Sequence, residues 1–220
     1  MQLSTRLREV LSEYSLLSHP YYQAWSRGTL SRETLRDYAV QYFAQVDAFP
    51  RFVSTVHSQC PDIRVRKVLL QNLVDEELHG ADHPELWLRF AEALGASPEA
   101  VRRAELLPET RATVDTLFQL ASGDWRDGLC ALFAYEAQVP EVARTKMDGL
   151  RRFYGLSDER ALSFFQAHLT YDVEHSRAVA TLVDEYAEPD RAQRATRRAA
   201  QALWGFLDGV SRQAAIPLVA

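Results

Sequence analysis

The chain has 220 residues, a formal net charge of −5, 47% hydrophobic residues and 25% charged residues. That length buries a sizeable core and is most simply one domain, residues 1–220. The acidic balance argues against a nucleic-acid or anionic-membrane partner. Two cysteines, Cys60 and Cys130, build no disulfide framework, no apolar run reaches membrane-spanning length, and no signal-peptide pattern opens the chain. A soluble cytoplasmic protein is expected.

Nine Gly and nine Pro leave long uninterrupted segments, and no alternating runs bounded by turn residues suggest strands. Leu3, Leu7, Val10, Leu11, Tyr14 and Leu17 set a helical period over 3–17. His19-Pro20 breaks it, and Tyr21, Tyr22 and Trp25 form a short aromatic helix stopped near Gly28. Ser31 caps a helix over 32–59 that contains Pro50 and should kink there. Asp62 caps 63–79, and Gly80 and Pro84 punctuate the join to 84–94. Ser97-Pro98-Glu99 opens a short helix, and another covers 109–121. A long segment over 125–153 is interrupted at Pro140. Ser157 caps a helix over 158–186, Pro189 opens the last helix to about 208, and the tail 211–220 reads as frayed. The Arg191, Arg194, Arg197 and Arg198 run has the spacing of a solvated helix face. The expected fold is all-α, a bundle of seven or more helices.

Chemistry concentrates in His168-Leu-Thr-Tyr171-Asp172-Val-Glu174-His175. His168, Asp172 and His175 fall at about 0°, 40° and −20° around one helix, a single stripe. Two imidazoles and a carboxylate there form a first-row transition-metal ligand set. The plain alternative is a solvated face, but His occurs only six times in the chain, and the flanking Phe164, Phe165, Leu169 and Val179 suggest burial. Asp75-Glu76-Glu77-Leu78-His79-Gly80-Ala81-Asp82-His83 is equally dense. Glu76 and His83 are seven residues apart, about 10.5 Å along a straight helix, and reach one centre only if the side chains converge or Gly80 bends the chain. Glu77 and His79 compete for the same roles. Glu136 sits among apolar residues, where a buried carboxylate wants a cation. Glu76, His83, Glu136, His168, Asp172 and His175 together suit two Fe- or Mn-type ions better than one closed zinc site.

The pattern Glu-x6-His, then Glu, then His-x3-Asp-x2-His resembles the heme-oxygenase-like di-metal oxidases. The segments His19-Pro20-Tyr21-Tyr22-Gln23-Ala24-Trp25-Ser26, Ala48-Phe49-Pro50-Arg51, Tyr135-Glu136-Ala137-Gln138-Val139-Pro140 and Leu203-Trp204-Gly205-Phe206-Leu207-Asp208 look like the CADD-like para-aminobenzoate synthases within them. The resemblance implies a homodimer with an Fe/Fe or Mn/Fe pair, dioxygen as co-substrate and an external reductant. It implies formation of the para-aminobenzoate moiety of folate from a tyrosine of the chain, with a lysine as amino donor. By position these are Tyr22 and Lys146, and Tyr38 and Tyr135 match aromatic positions near the site. Two related alternatives predict no metal: a PqqC-like cofactor-free oxidase and a TenA-like thiaminase, for which Cys130 is the candidate nucleophile. A non-catalytic helical interaction protein, with no convergence of the six ligands, is the third.

Overall fold

The computed structural model describes residues 1–78 and 80–218, without the side chains of residues 170–173. Eleven α-helices account for the regular structure of the described residues, and there is no strand among them. They are α1 (Leu3–Ser12), α2 (Pro20–Ser26), α3 (Arg32–Gln59), α4 (Ile63–Glu77), α5 (His83–Ala93), α6 (Pro98–Arg103), α7 (Pro108–Ser122), α8 (Trp125–Glu136), α9 (Val139–Phe153), α10 (Glu159–Tyr186) and α11 (Pro189–Gln213). A 3₁₀ turn, Leu16–Ser18, joins α1 to α2.

Local chemistry sets the helix starts. Ser31 accepts from Thr34 N–H, Asp62 from Arg64 N–H, and Ser97 from Ala100 N–H. Proline occupies the first turn of α2, α5, α6, α7, α9 and α11, where its missing N–H costs nothing. Four expectations are corrected. The first helix ends at Ser12 rather than near residue 17. The expected interruption of the 125–153 segment is present but falls at Ala137–Gln138, ahead of Pro140, which lies in the first turn of α9. The cap of α10 is Asp158, whose carboxylate accepts from Ala161 N–H, not Ser157. The last helix runs to Gln213, and Val210 and Ser211 are buried, so the first residues of the supposed frayed tail are structural. Tertiary burial decides that end, which a polar local sequence disguises.

The long α3, α10 and α11 organise the bundle. α3 packs against α4, α5, α7 and α8; α10 against α5, α8 and α9; α11 against α7 and α8. Their buried side chains form one continuous cluster, centred on Trp25, Tyr38, Trp87, Phe90, Phe165 and Phe206. The indole N–H groups inside it are satisfied: Trp87 donates to Ala39 C=O at 2.7 Å and Trp25 to Lys146 C=O at 3.1 Å. The second bond fixes α9 against α2, and Gly149 lets the helix come that close. A Cβ at Gly149 would lie 2.8 Å from Trp25 Cδ1.

Two helical glycines therefore respond oppositely to one substitution. Gly149→Ala forces a fully buried Trp25 to shift, an overpacking cost of about 1–3 kcal/mol that exceeds the ~1 kcal/mol gain in helix propensity. Gly205, in α11, has no atom within 4 Å of its added Cβ, and Gly205→Ala gains up to about 1 kcal/mol. Thermal unfolding should show a lower Tm for the first variant and a higher Tm for the second. Equal shifts of one sign would contradict this packing.

Candidate metal centre and the aromatic chamber beside it

α4 ends at Glu77, Gly80 takes a left-handed φ of +79°, and Asp82 caps α5 so that His83 lies in its first turn. That break, which only glycine enters without strain, is what turns His83 back toward Glu76. Glu76 is buried and Glu77 exposed, which separates the two acids. His79 lies outside the described residues.

Glu76, His83 and His168 each aim a donor atom at one point, all within 4.8 Å of one another, and all three are buried. His83 Nδ1 approaches Glu76 Oε2 to 2.5 Å, yet the contact lacks hydrogen-bond geometry and His83 Nδ1 has no hydrogen-bond partner. His168 Nδ1 lies 2.8 Å from Phe164 C=O. A carbonyl only accepts, so Nδ1 carries the proton and Nε2 keeps its lone pair for a ligand. Burial, and then the neighbouring His83, hold His168 well below the usual histidine pKa, so this imidazole is neutral, as ligation requires.

The other expected ligands divide. Glu136 accepts from Asn72 Nδ2 at 2.7 Å through one oxygen, while its Oε2 has no partner. Burial pushes its pKa up to about 8, with Glu76 adding to the rise and Asn72 opposing it. His175 Nε2 lies 2.7 Å from Asp75 Oδ2. Asp75 is the neighbour that the sequence reading passed over; its signal was adjacency to Glu76 in a buried turn of α4. The Asp172 side chain lies outside the described residues. The partnerless buried atoms of Glu136 and of His83, itself one of the three converged donors, are what a cation would satisfy, so the residues fit a bound metal.

Beside this cluster lies a chamber lined by Tyr22, Tyr42, Gln45, Tyr135, Lys146 and Phe206, among others, with a volume of about 30 Å³. α2 brings Tyr22 to it because His19 caps that helix: His19 Nδ1 accepts from Tyr21 N–H at 3.1 Å, and Nε2 lies 3.1 Å from Asp208 of α11. The Tyr22 and Tyr38 hydroxyls are 2.8 Å apart, and Lys146 Nζ donates to Tyr38 at 2.5 Å. The amine sits 4.6 Å from the Tyr22 ring centre and 4.8 Å from those of Tyr38 and Tyr42. Tyr42 and Tyr135 share a second phenol–phenol bond of 2.6 Å. Burial drives the Lys146 pKa well below that of a free lysine and raises those of Tyr22, Tyr38 and Tyr135 well above the usual phenol value. The amine and the phenols therefore rest neutral.

Cys130 answers differently. It is 1% exposed, and burial pushes its thiol up to about 12, so almost no thiolate exists at neutral pH and it is no activated nucleophile.

A helical bundle with buried carboxylate and imidazole donors against a tyrosine-lined chamber defines a redox enzyme. The chain belongs to the iron-containing redox enzyme family, whose sequence model matches residues 36–206. It is 42% identical over 91% of its length to a 4-aminobenzoate synthase of Nitrosomonas europaea, covering 87% of that protein. It is 36% identical over 94% of its length to a 4-aminobenzoate synthase of Chlamydia trachomatis, covering 91% of it. In structure it superposes on a TenA homologue from Pseudomonas syringae with a TM-score of 0.81 at 18% identity, covering 94% of this chain and 92% of the other. That likeness establishes the heme-oxygenase-like fold.

Burying a neutral Lys146 has a measurable cost. Its folded-state pKa is depressed, so unfolding takes up a proton at any pH between the folded and unfolded values, and stability rises with pH through that window. Lys146→Met removes the cost. It should be more stable than the parent at pH 7, by about 1–3 kcal/mol, with the gap narrowing as pH approaches 10. Denaturant titrations at pH 7 and pH 10 measure both, and a less stable Lys146→Met at pH 7 would contradict the neutral-amine assignment.

Proposed function

We propose that this enzyme makes 4-aminobenzoate from its own Tyr22, with Lys146 as the nitrogen donor. The observation that carries the reading is the Lys146 amine, buried and neutral, 4.6 Å from the Tyr22 ring and hydrogen-bonded through Tyr38 to the Tyr22 hydroxyl. Similarity to the 4-aminobenzoate synthases of two organisms supports the product. The chamber supports the source: beside the Tyr22 ring it keeps about 30 Å³, room for one or two water-sized molecules. That favours a ring of the chain over a quinone precursor bound in the same chamber.

Glu76, His83 and His168 would hold one metal ion, and Glu136, His175 and Asp172 would contribute to a second. Iron bound there would supply one-electron oxidising equivalents at the expense of dioxygen, with an external reductant returning electrons to the metal. The chain's own residues do the rest. 4-Aminobenzoate retains the ring and one carbon of a tyrosine side chain, so the Cα–Cβ bond of Tyr22 breaks and Cβ becomes the carboxyl carbon. An electron-rich phenol does not accept an amine until the ring is oxidised. Tyr38 holds the Tyr22 hydroxyl and offers a hydrogen-bonded route for its proton as the electron leaves. The apolar walls keep Lys146 deprotonated, so its lone pair is available to the oxidised ring carbon that bears the oxygen. Condensation there releases that oxygen as water, and hydrolysis after the C=N bond shifts to Cε breaks Nζ–Cε and leaves an aldehyde on the Lys146 stem. Closure of the chamber excludes bulk water, which would otherwise compete with the amine. Such a chain is consumed by its reaction, giving at most about one product per chain, far from ordinary turnover.

The test grows the protein on ring-labelled tyrosine, supplies ferrous iron, reductant and dioxygen, and measures labelled 4-aminobenzoate per chain. Label should enter the product at no more than one equivalent, and be lost with Tyr22→Phe, with Lys146→Met and on chelation of the metal. Sustained product formation from an added small molecule, with Tyr22→Phe as active as the parent, would overturn the reading in favour of an ordinary oxidase.

A further inference from the structure

Gln45 is fully buried on α3, and neither its amide oxygen nor its amide nitrogen has a hydrogen-bond partner in the protein. An amide offers two donors and an acceptor, and unmet polar atoms of this kind are uncommon in a core. Gln45 also lines the chamber. Tyr38, Tyr42 and Gln45 stand at i, i+4 and i+7 of α3, so one stripe of that helix presents two phenols and an amide together.

Two hydrogen-bonded groups border the same space. One runs from Lys146 through Tyr38 to Tyr22. The other is the Tyr42–Tyr135 pair, and Tyr135 directly precedes Glu136 in the chain. Tyr22, Tyr42, Tyr135, Lys146 and Gln45 all line the chamber. We propose that Gln45 is a positioning residue that binds water between these two groups, joining them into one proton path from Tyr135, the residue before Glu136, to Tyr22.

The chemistry of the guest follows from the host. Dioxygen is apolar and leaves an amide unsatisfied. Water both donates and accepts, and it needs about 10–15 Å³ and two to four polar partners; the chamber has about 30 Å³ and, besides Gln45, three hydroxyls and an amine on its wall. A proton crosses such a path without net change: each oxygen accepts one hydrogen and passes on another. The role in the reaction rests on the reading of Tyr22 as the reacting ring; the water site rests on Gln45 alone.

The experiment compares the parent with Gln45→Leu, which keeps the volume and removes every polar atom. Gln45→Met serves in the same way should the branched side chain disturb packing. Crystal structures at high resolution should show ordered water within hydrogen-bond distance of the Gln45 amide and of a chamber hydroxyl, absent from the variant. The variant should keep its fold and its bound iron. Single-turnover formation of 4-aminobenzoate should slow at least about a hundredfold, the lower edge of what a positioned proton route contributes, and its rate ratio in H₂O against D₂O should change from the parent's. A dry chamber in the parent overturns the proposal, and so does a variant with the parent's rate and isotope effect. If the parent makes no 4-aminobenzoate, the functional reading fails, while the water site is still decided by the electron density.

Discussion

A charge removed from water must be matched or discharged, and the centre of this molecule is arranged around that constraint. Glu76, His83, Glu136, His168 and Lys146 each keep 5% or less of their surface exposed. The helices can supply little help, because their backbone donors and acceptors are already spent on one another. Two solutions are visible. His175 and Asp75 form a close pair. Glu136, His168 and Lys146 instead shift toward their neutral forms. The neutral forms do not mean the same thing chemically. A neutral imidazole is a ready metal ligand, whereas a protonated carboxyl must give up its proton to become one. A cation entering the cluster reverses the logic that raises the Glu136 pKa, since it favours the anion that burial disfavours.

The two halves of the site are held together by α8. Tyr135 and Glu136 are consecutive, so their side chains leave the helix about 100° apart. One faces the phenol-lined chamber and the other the carboxylate cluster. A helix that ended one residue earlier would lose the second, and the turn at Ala137–Gln138 follows at once. Tyr135 also stacks on Phe49 at 4.8 Å, which locks the ring by packing while its hydroxyl is held by Tyr42. Short range matters here: on the proposed reading an oxidant at the cluster would act on a ring in the chamber, and the two would be useful to each other only if the connecting side chains did not wander.

Much of this was legible in the sequence, for reasons that differ from residue to residue. Helical period and capping residues predict most of the helices, because both are local. The His168 and Glu76 clusters could be found because donor residues are rare and their spacing is periodic. The bend at Gly80 was a stated condition for His83 to reach Glu76, and the left-handed φ meets it. Tyr22 and Lys146 are 124 residues apart, and no local pattern pairs them; only resemblance did. Asp75 was hidden because adjacency along a helix places it about 100° from Glu76, toward another partner. Gln45 was missed although its signal existed, a lone amide continuing the Tyr38–Tyr42 stripe. A polar residue on an apolar face is usually read as an exposed one, and only the tertiary packing shows that this one is fully buried.

The same fold serves other chemistry, as the superposition on a TenA homologue indicates, so the architecture alone cannot choose the reaction. The choice lies in which group the core activates. Burial acts on a thiol and on an amine in opposite senses. It raises the Cys130 pKa, which suppresses the reactive thiolate, and lowers that of Lys146, which exposes the reactive lone pair. One apolar environment thus silences sulfur and arms nitrogen. The ring centres of Tyr22, Tyr38 and Tyr42 lie 4.6 to 4.8 Å from that nitrogen, and on the proposed reading one of these rings, Tyr22, would accept the amine only after losing electrons. The carboxylate–imidazole cluster on the other side of Tyr135 is where a metal able to remove those electrons would bind.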